Sequence, residues 1–288
     1  MSMTAKDGAI LVFKIVALTV ALMVVNGLGS KLLPAMDTAP QPTGSFFAIV
    51  VLVMFLQTVA LAYPIVRARW SGWRLTVAVF VLFFGTVTFM SQIESLVYLG
   101  GRMPEGMQAG IFKMGLFVAA VFSPIAVLVL GRWRSEDSSG SGLVAWKPTT
   151  AWWWRAVTAG GVFLVLYYLF GYYVAWKNVA VRDYYGGTDP GSFLAQMANV
   201  VRDTPWMLPL QFVRGLLWVG LAVLVIRMMR GRWWEAALAL ALLFGVPSLY
   251  LLFPNPLMPD AVRLAHLVET LPYQLLFGGF AGWWLRER

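Results

Sequence analysis

Phe84 to Gly101 reads FGTVTFMSQIESLVYLGG. The stretch belongs to an apolar run long enough to cross a bilayer, yet it carries Gln92 and Glu94. The rest of the chain repeats this pattern of long apolar runs interrupted by a few costly polar groups. Of 288 residues, 60% are hydrophobic and 12% are charged, against about 25% charged in soluble domains. A helix needs about 20 apolar residues to cross the ~30 Å hydrocarbon core. The expected fold is therefore all-α, a polytopic membrane protein with a single integral membrane domain.

Eight spans are expected, at roughly 10–29, 46–65, 75–98, 111–130, 155–176, 206–227, 235–253 and 264–285. The first reads as a retained signal anchor, because Ile10–Leu28 exceeds the roughly 7–15 apolar residues of a cleavable signal. With both termini cytoplasmic, thirteen of the 22 Lys and Arg fall in inner segments, six in outer segments and three within spans. That asymmetry predicts N-in, C-in insertion in a bacterial-type cytoplasmic membrane. Tryptophan clusters at the same inner ends, as in Trp70, Trp73, Trp133, Trp152–Trp154, Trp233, Trp234, Trp283 and Trp284, where amphipathic rings form interfacial belts.

Two connections stand out. Residues 134–150 are Ser/Gly-rich and read as a flexible cytoplasmic linker between halves. The outer loop 177–205 carries Phe193, Leu194, Met197, Val200 and Val201 at helical spacing behind a candidate N-cap, Ser192. It predicts a short amphipathic surface helix.

The opening stretch also has a counterpart. Phe84–Gly101 overlays Phe170–Gly187 (FGYYVAWKNVAVRDYYGG) without a gap, pairing Gln92 with Asn178 and Tyr98 with Tyr184. Phe112–Trp133 likewise overlays Phe212–Trp233, with Gly115 over Gly215 and Gly-Arg-Trp at both ends. Spans 3–4 and 5–6 thus predict an internal helical-hairpin repeat, and Phe244-Gly245 is a trace of a third copy.

A charge in mid-membrane costs about 2.5–3.5 kcal/mol on insertion scales, so polar groups within spans mark sites or structural pairs. Ser91, Glu94, Ser95 and Tyr98 fall on one helical face, with Thr88 continuing it, and are expected to face other helices. Arg263, His266, Glu269 and Tyr273 form a second stripe, with Pro272 bending the helix beside it. Arg214 sits in the outer half of its own span, while Lys14 and Lys113 snorkel. The candidate binding or proton-relay residues are Glu94, Gln92, Arg214, His266, Glu269, Tyr98 and Tyr273, in one pocket open to the outside.

No Cys and a single His exclude thiol chemistry, disulfides and any site that needs two imidazoles. His266, Glu269 and Glu94 could ligate Zn or Fe, but the spacing is unspecific and no metal or other cofactor is expected. The expected partners are membrane lipids and a small solute or ion, not nucleic acid, since juxtamembrane Lys and Arg account for the net charge of +9. The leading functional class is small-solute or ion/proton-coupled transport. The alternatives are a sensor or assembly protein, or an enzyme acting on a lipid or lipid-linked substrate. Each class predicts different surroundings for the polar residues: a continuing path, fully paired groups, or a dead-end pocket.

Overall fold

The computed structural model describes residues 5–34, 44–99, 101–134, 149–255 and 257–286. Of these, 83% are helical and none lies in a strand. Seven helical rods are long and apolar enough to cross a membrane: 6–32, 44–66, 72–99, 107–129, 150–176, 207–228 and 233–252. The eighth expected span is a helix of 25 residues, Asp260–Trp284, but it is not among the seven. Its first half carries Arg263, His266 and Glu269, which dilute its apolar character. The linker expected at 134–150 falls almost wholly outside the described residues.

The chain divides into two units, residues 1–144 with 227–231, and residues 145–226 with 232–288. The first holds α1 (Ala5–Gly29), α2 (Gly44–Val66), α3 (Gly72–Phe84), α4 (Met90–Leu99) and α5 (Met107–Val129). A π-helical turn, Gly85–Phe89, joins α3 to α4, and the Met90 N–H reaches back to the Gly85 carbonyl. Within lipid there is no hydrophobic drive for helices to associate, so close packing of small residues does much of the work. Gly115 on α5 shows this: a Cβ there would lie 2.2 Å from Thr88 Oγ1. Gly29 on α1 is similarly covered by Val118 and Met114 of α5. Phe83 and Phe122 meet at 5.6 Å in the core of this unit.

The π turn rotates α4 relative to α3. It inserts one residue into the helix, and each residue turns the helix by about 100°. The buried face therefore passes from Leu82 and Phe83 through Thr86 and Thr88 to Met90 and Gln92. Ser91 and Tyr98 are exposed, while Glu94 and Ser95 between them are half-buried. The buried polar residue of α4 is Gln92.

The second unit holds α6 (Thr150–Phe170), α7 (Val179–Tyr185), α8 (Phe193–Asp203), nearly all of α9 (Met207–Met228), α10 (Trp233–Gly245) and α11 (Asp260–Trp284). Here too α6 runs into a π-helical segment, Gly171–Trp176. α10 tightens into a 3₁₀ segment, Val246–Leu252. Gly278 and Gly282 press α11 onto α10: a Cβ on either would lie 2.4 Å from the Leu240 carbonyl oxygen or from Ala237 Cα. Gly215 of α9 is as close to α6, with its Cβ position 2.8 Å from the Gly160 carbonyl oxygen. Phe163, Trp218, Phe244 and Phe277 fill the space between these helices. α11 stays α-helical through Pro272.

α7 was not anticipated within the long loop. Asn178 caps it by accepting from the Ala180 N–H, and Gly186, at φ 71°, closes it in the left-handed conformation that glycine adopts most readily. Ser192 caps α8, its hydroxyl accepting from the Ala195 N–H at 3.2 Å. Phe193 packs against Tyr172 and Tyr173, whereas Leu194 and Val201 are exposed.

Candidate functional site

α11 carries the main polar cluster. Positions 266 and 269 are one turn apart, so their side chains share a face. His266 Nδ1 lies 2.7 Å from Glu269 Oε2. His266 Nε2 lies 3.1 Å from the Tyr185 hydroxyl, brought in by α7. Exposure falls along this chain: Tyr185 and His266 are half-buried and Glu269 is buried. The other carboxylate oxygen, Oε1, faces Gly171, where a Cβ would stand 3.3 Å from it. Gly171 is the first residue of the π-helical segment, and such segments recur at functional sites.

The apolar wall around the cluster explains its order. Ala175, Val181, Val262 and Ala265 pack together, with Trp176, Tyr184 and Tyr185 against them. Tyr184 donates to the Leu257 carbonyl at 2.7 Å. Beside α7, the Gly191 N–H, then Lys177 and Arg182, hold the Asp189 carboxyl below its ordinary range. Trp176 donates its indole N–H to the Thr188 carbonyl, and its ring packs against Gly187, where a Cβ would lie 2.4 Å from Cζ2.

One turn beyond Glu269, Tyr273 is buried among Phe163, Tyr167 and Phe170, and its hydroxyl accepts from Gln274 Nε2 at 3.3 Å. Arg214 is 2% exposed. Its guanidinium stands 5.8 and 5.9 Å from the centroids of Phe163 and Tyr167 and donates to Gln211 Oε1 at 2.6 Å. Arg214 and Tyr273 thus share Phe163 and Tyr167 as common neighbours. Arg263, on the same face as His266, is turned to Asp260 and the Leu251 carbonyl.

The second unit therefore brings His266, Glu269 and Tyr185 into one hydrogen-bonded chain, with Tyr273 and Arg214 in an adjoining aromatic box. Gln92, Glu94 and Tyr98 belong to the first unit. Gln92 is buried and accepts from Gln108 Nε2 at 3.0 Å. Glu94 is half-buried and Tyr98 exposed, while Ser91 and Ser95 donate to carbonyls of their own helix. Lys113 is exposed. Among the described residues, no three His, Asp or Glu side chains group to hold a metal ion.

Sequence reasoning missed Tyr185. Its signal was present: the Tyr184-Tyr185 pair stands immediately before Gly186-Gly187, and a left-handed glycine ends a helix there.

Comparison with protein-family models, with curated proteins and with solved structures gives no match to this chain. What helix length and composition support is the class, a polytopic α-helical membrane protein.

Proposed function

We propose that this protein takes up and relays protons from the outer face of a cytoplasmic membrane, in the service of small-solute or ion transport. The observation that carries the reading is the graded chain Tyr185–His266–Glu269. A relay needs groups that both give and take a proton, joined by hydrogen bonds, with one end near water and the other withdrawn. Phenol, imidazole and carboxylate meet the first need. The decline in exposure from Tyr185 to Glu269 meets the second. The carboxylate on Nδ1 fixes the ring and leaves Nε2 to exchange with the phenol, the same division of labour that orients a catalytic imidazole. Arg214, close to the aromatic residues around Tyr273, would supply positive charge for an anionic group.

In this reading α11 is the eighth span, with its polar half at the outer side and both termini inside. The internal repeat gains support from backbone geometry that the sequence overlay did not use. Phe84-Gly85 and Phe170-Gly171 both sit where an α-helix passes into a π segment, and Phe244-Gly245 sits where α10 passes into a 3₁₀ segment. The glycines of both Gly-Arg-Trp triplets, Gly131 and Gly231, have positive φ. The copies differ in detail, since Gly115 meets Thr88 whereas Gly215 meets Gly160.

The test is proton movement in liposomes that hold a pH-sensitive dye. Wild-type protein is expected to pass protons under an imposed pH gradient or on addition of a driven solute. Glu269→Gln and His266→Gln are expected to abolish the signal, and Tyr185→Phe to slow it. Equal proton movement in all four proteins would end this reading.

A further inference from the structure

A second cluster lies in the first unit, whereas the relay residues belong to the second. Three segments meet there: the α2–α3 connection with the first turn of α3 (residues 66–74), the residues after α5 (131–134) and the end of α9 with the residues after it (227–231). Arg69 donates its backbone N–H to the Met228 carbonyl at 2.7 Å, and Arg230 donates to the Arg67 carbonyl at 2.8 Å. Ala68 and Met229 are thus paired in a short antiparallel clasp. The Arg69 guanidinium donates to the Met229 carbonyl at 2.9 Å, and the Arg132 guanidinium donates to the carbonyls of Ala68 and Trp70. The Gly72 N–H closes the knot on the Arg132 carbonyl.

This backbone stitching gathers charge of one sign. Residues 66–74 hold Arg67, Arg69 and Arg74, residues 131–134 hold Arg132 and Arg134, and residues 227–231 hold Arg227 and Arg230, with no acidic residue in any of the three. Arg69 and Arg227 lie near enough to Arg74 for their charges to repel it. Bonds to carbonyls fix a guanidinium without cancelling its charge. Arg74 is fixed instead by Trp70, whose ring centroid is 4.1 Å from its Cζ. Lys14 Nζ adds a further cation beside Gly131. Arginine setting topology needs only exposed charge near a span end. Here hydrogen bonds to backbone carbonyls hold Arg69 and Arg132 in fixed positions, with Arg67, Arg74, Arg227 and Arg230 on the same three segments.

We propose that this arginine knot is a binding site for the phosphodiester headgroup of an anionic membrane lipid. A planar guanidinium matches phosphate oxygens in pairs, and basic clusters between membrane helices take such headgroups. The position favours a lipid over a free anion. The knot lies at the ends of α2, α5, α9 and the rod Gly72–Leu99 that α3 begins, all of which qualify as spans. Trp73 and Trp133 meet edge to face at 5.4 Å beside it, and Trp73 is exposed, as a ring at headgroup level would be.

The test uses the full chain in a zwitterionic detergent, titrated with short-chain phosphatidylglycerol, with short-chain phosphatidylcholine and with inorganic phosphate. Saturable binding of phosphatidylglycerol alone is expected. Each arginine near a membrane surface contributes enough that Arg74→Gln or Arg227→Gln should weaken binding about fivefold, and the pair roughly thirtyfold. Arg202→Gln, on exposed α8, should leave it unchanged. Equal binding of phosphatidylcholine, or inorganic phosphate binding as tightly as the lipid, would overturn the proposal. So would unchanged affinity in the double variant. If the double variant does not fold, the single variants decide, and unchanged affinity in both overturns it.

Discussion

His266 and Glu269 are joined at 2.7 Å on one face of α11, and the same imidazole reaches Tyr185 through its other nitrogen. Leaving a buried partner unsatisfied costs about 1–3 kcal/mol, more than the net worth of an ordinary hydrogen bond. Glu269→Ala should therefore destabilise the protein by about that amount, and Tyr185→Phe by about 0.5–1.5 kcal/mol. Chemical unfolding in detergent measures both. An undiminished stability in Glu269→Ala would show that the bond does not hold α11 in place.

Gly115 and Gly278 should respond differently to the same change. At Gly115 the obstruction is a side chain, since the nearest atoms to an added Cβ are Thr88 Oγ1 and Cγ2. Gly115→Ala should cost about 1–3 kcal/mol by overpacking, and adding Thr88→Ala should recover part of it. At Gly278 the obstruction is the backbone of Leu240, so Gly278→Ala should cost at least as much and resist rescue at Leu240. Thermal midpoints of the three proteins compare the two sites.

Arg214→Lys keeps the charge but loses the planar group beside Phe163 and Tyr167. Contacts of this kind contribute about 0.5–2 kcal/mol, and lysine does not reproduce them. A fall in thermal midpoint of a few degrees is expected. Arg214→Ala should fall further, because Gln211 then loses its partner as well.

The loop after α7 should loosen in acid. The Asp189 carboxyl is held below its ordinary value of 3.8, first by the Gly191 N–H and then by Lys177 and Arg182. A depressed carboxyl stabilises the folded loop above its unfolded pKa, and that contribution fades as pH falls through the folded value. Hydrogen exchange at residues 187–191 should therefore stay protected at neutral pH and lose protection below about pH 3.8. Asp189→Asn should remove this pH dependence and lower protection at neutral pH.

Much of this was legible in the sequence, for physical reasons. Long apolar runs have few alternatives to crossing a bilayer, so the rods at 44–66, 107–129 and 207–228 lie within a few residues of expectation. The i, i+3 spacing of His266 and Glu269 puts them on one face of any α-helix. The Ser91–Tyr98 stripe keeps its α-helical phase within α4, but Thr88, read as its continuation, lies in the π turn Gly85–Phe89 and is buried, whereas Ser91 and Tyr98 are exposed. No residue type encodes a π turn. Tyr185 escaped because its partner is 81 residues away, which periodicity cannot reach. The close approach of α11 to α10 was readable and was overlooked: Gly278 and Gly282 are four apart, the spacing that lets membrane helices touch.

The rod from Gly72 to Leu99 has 28 residues, a length of about 42 Å at α-helical rise. Glu94 stands about 33 Å along it from Gly72, just past the width of a ~30 Å hydrocarbon core. Its hydration is then set by the host bilayer as much as by the protein. Longer acyl chains would draw Glu94 towards oil, and shorter ones would leave it among headgroups. Acyl-chain length thus becomes an experimental dial on this carboxylate, one that needs no mutation.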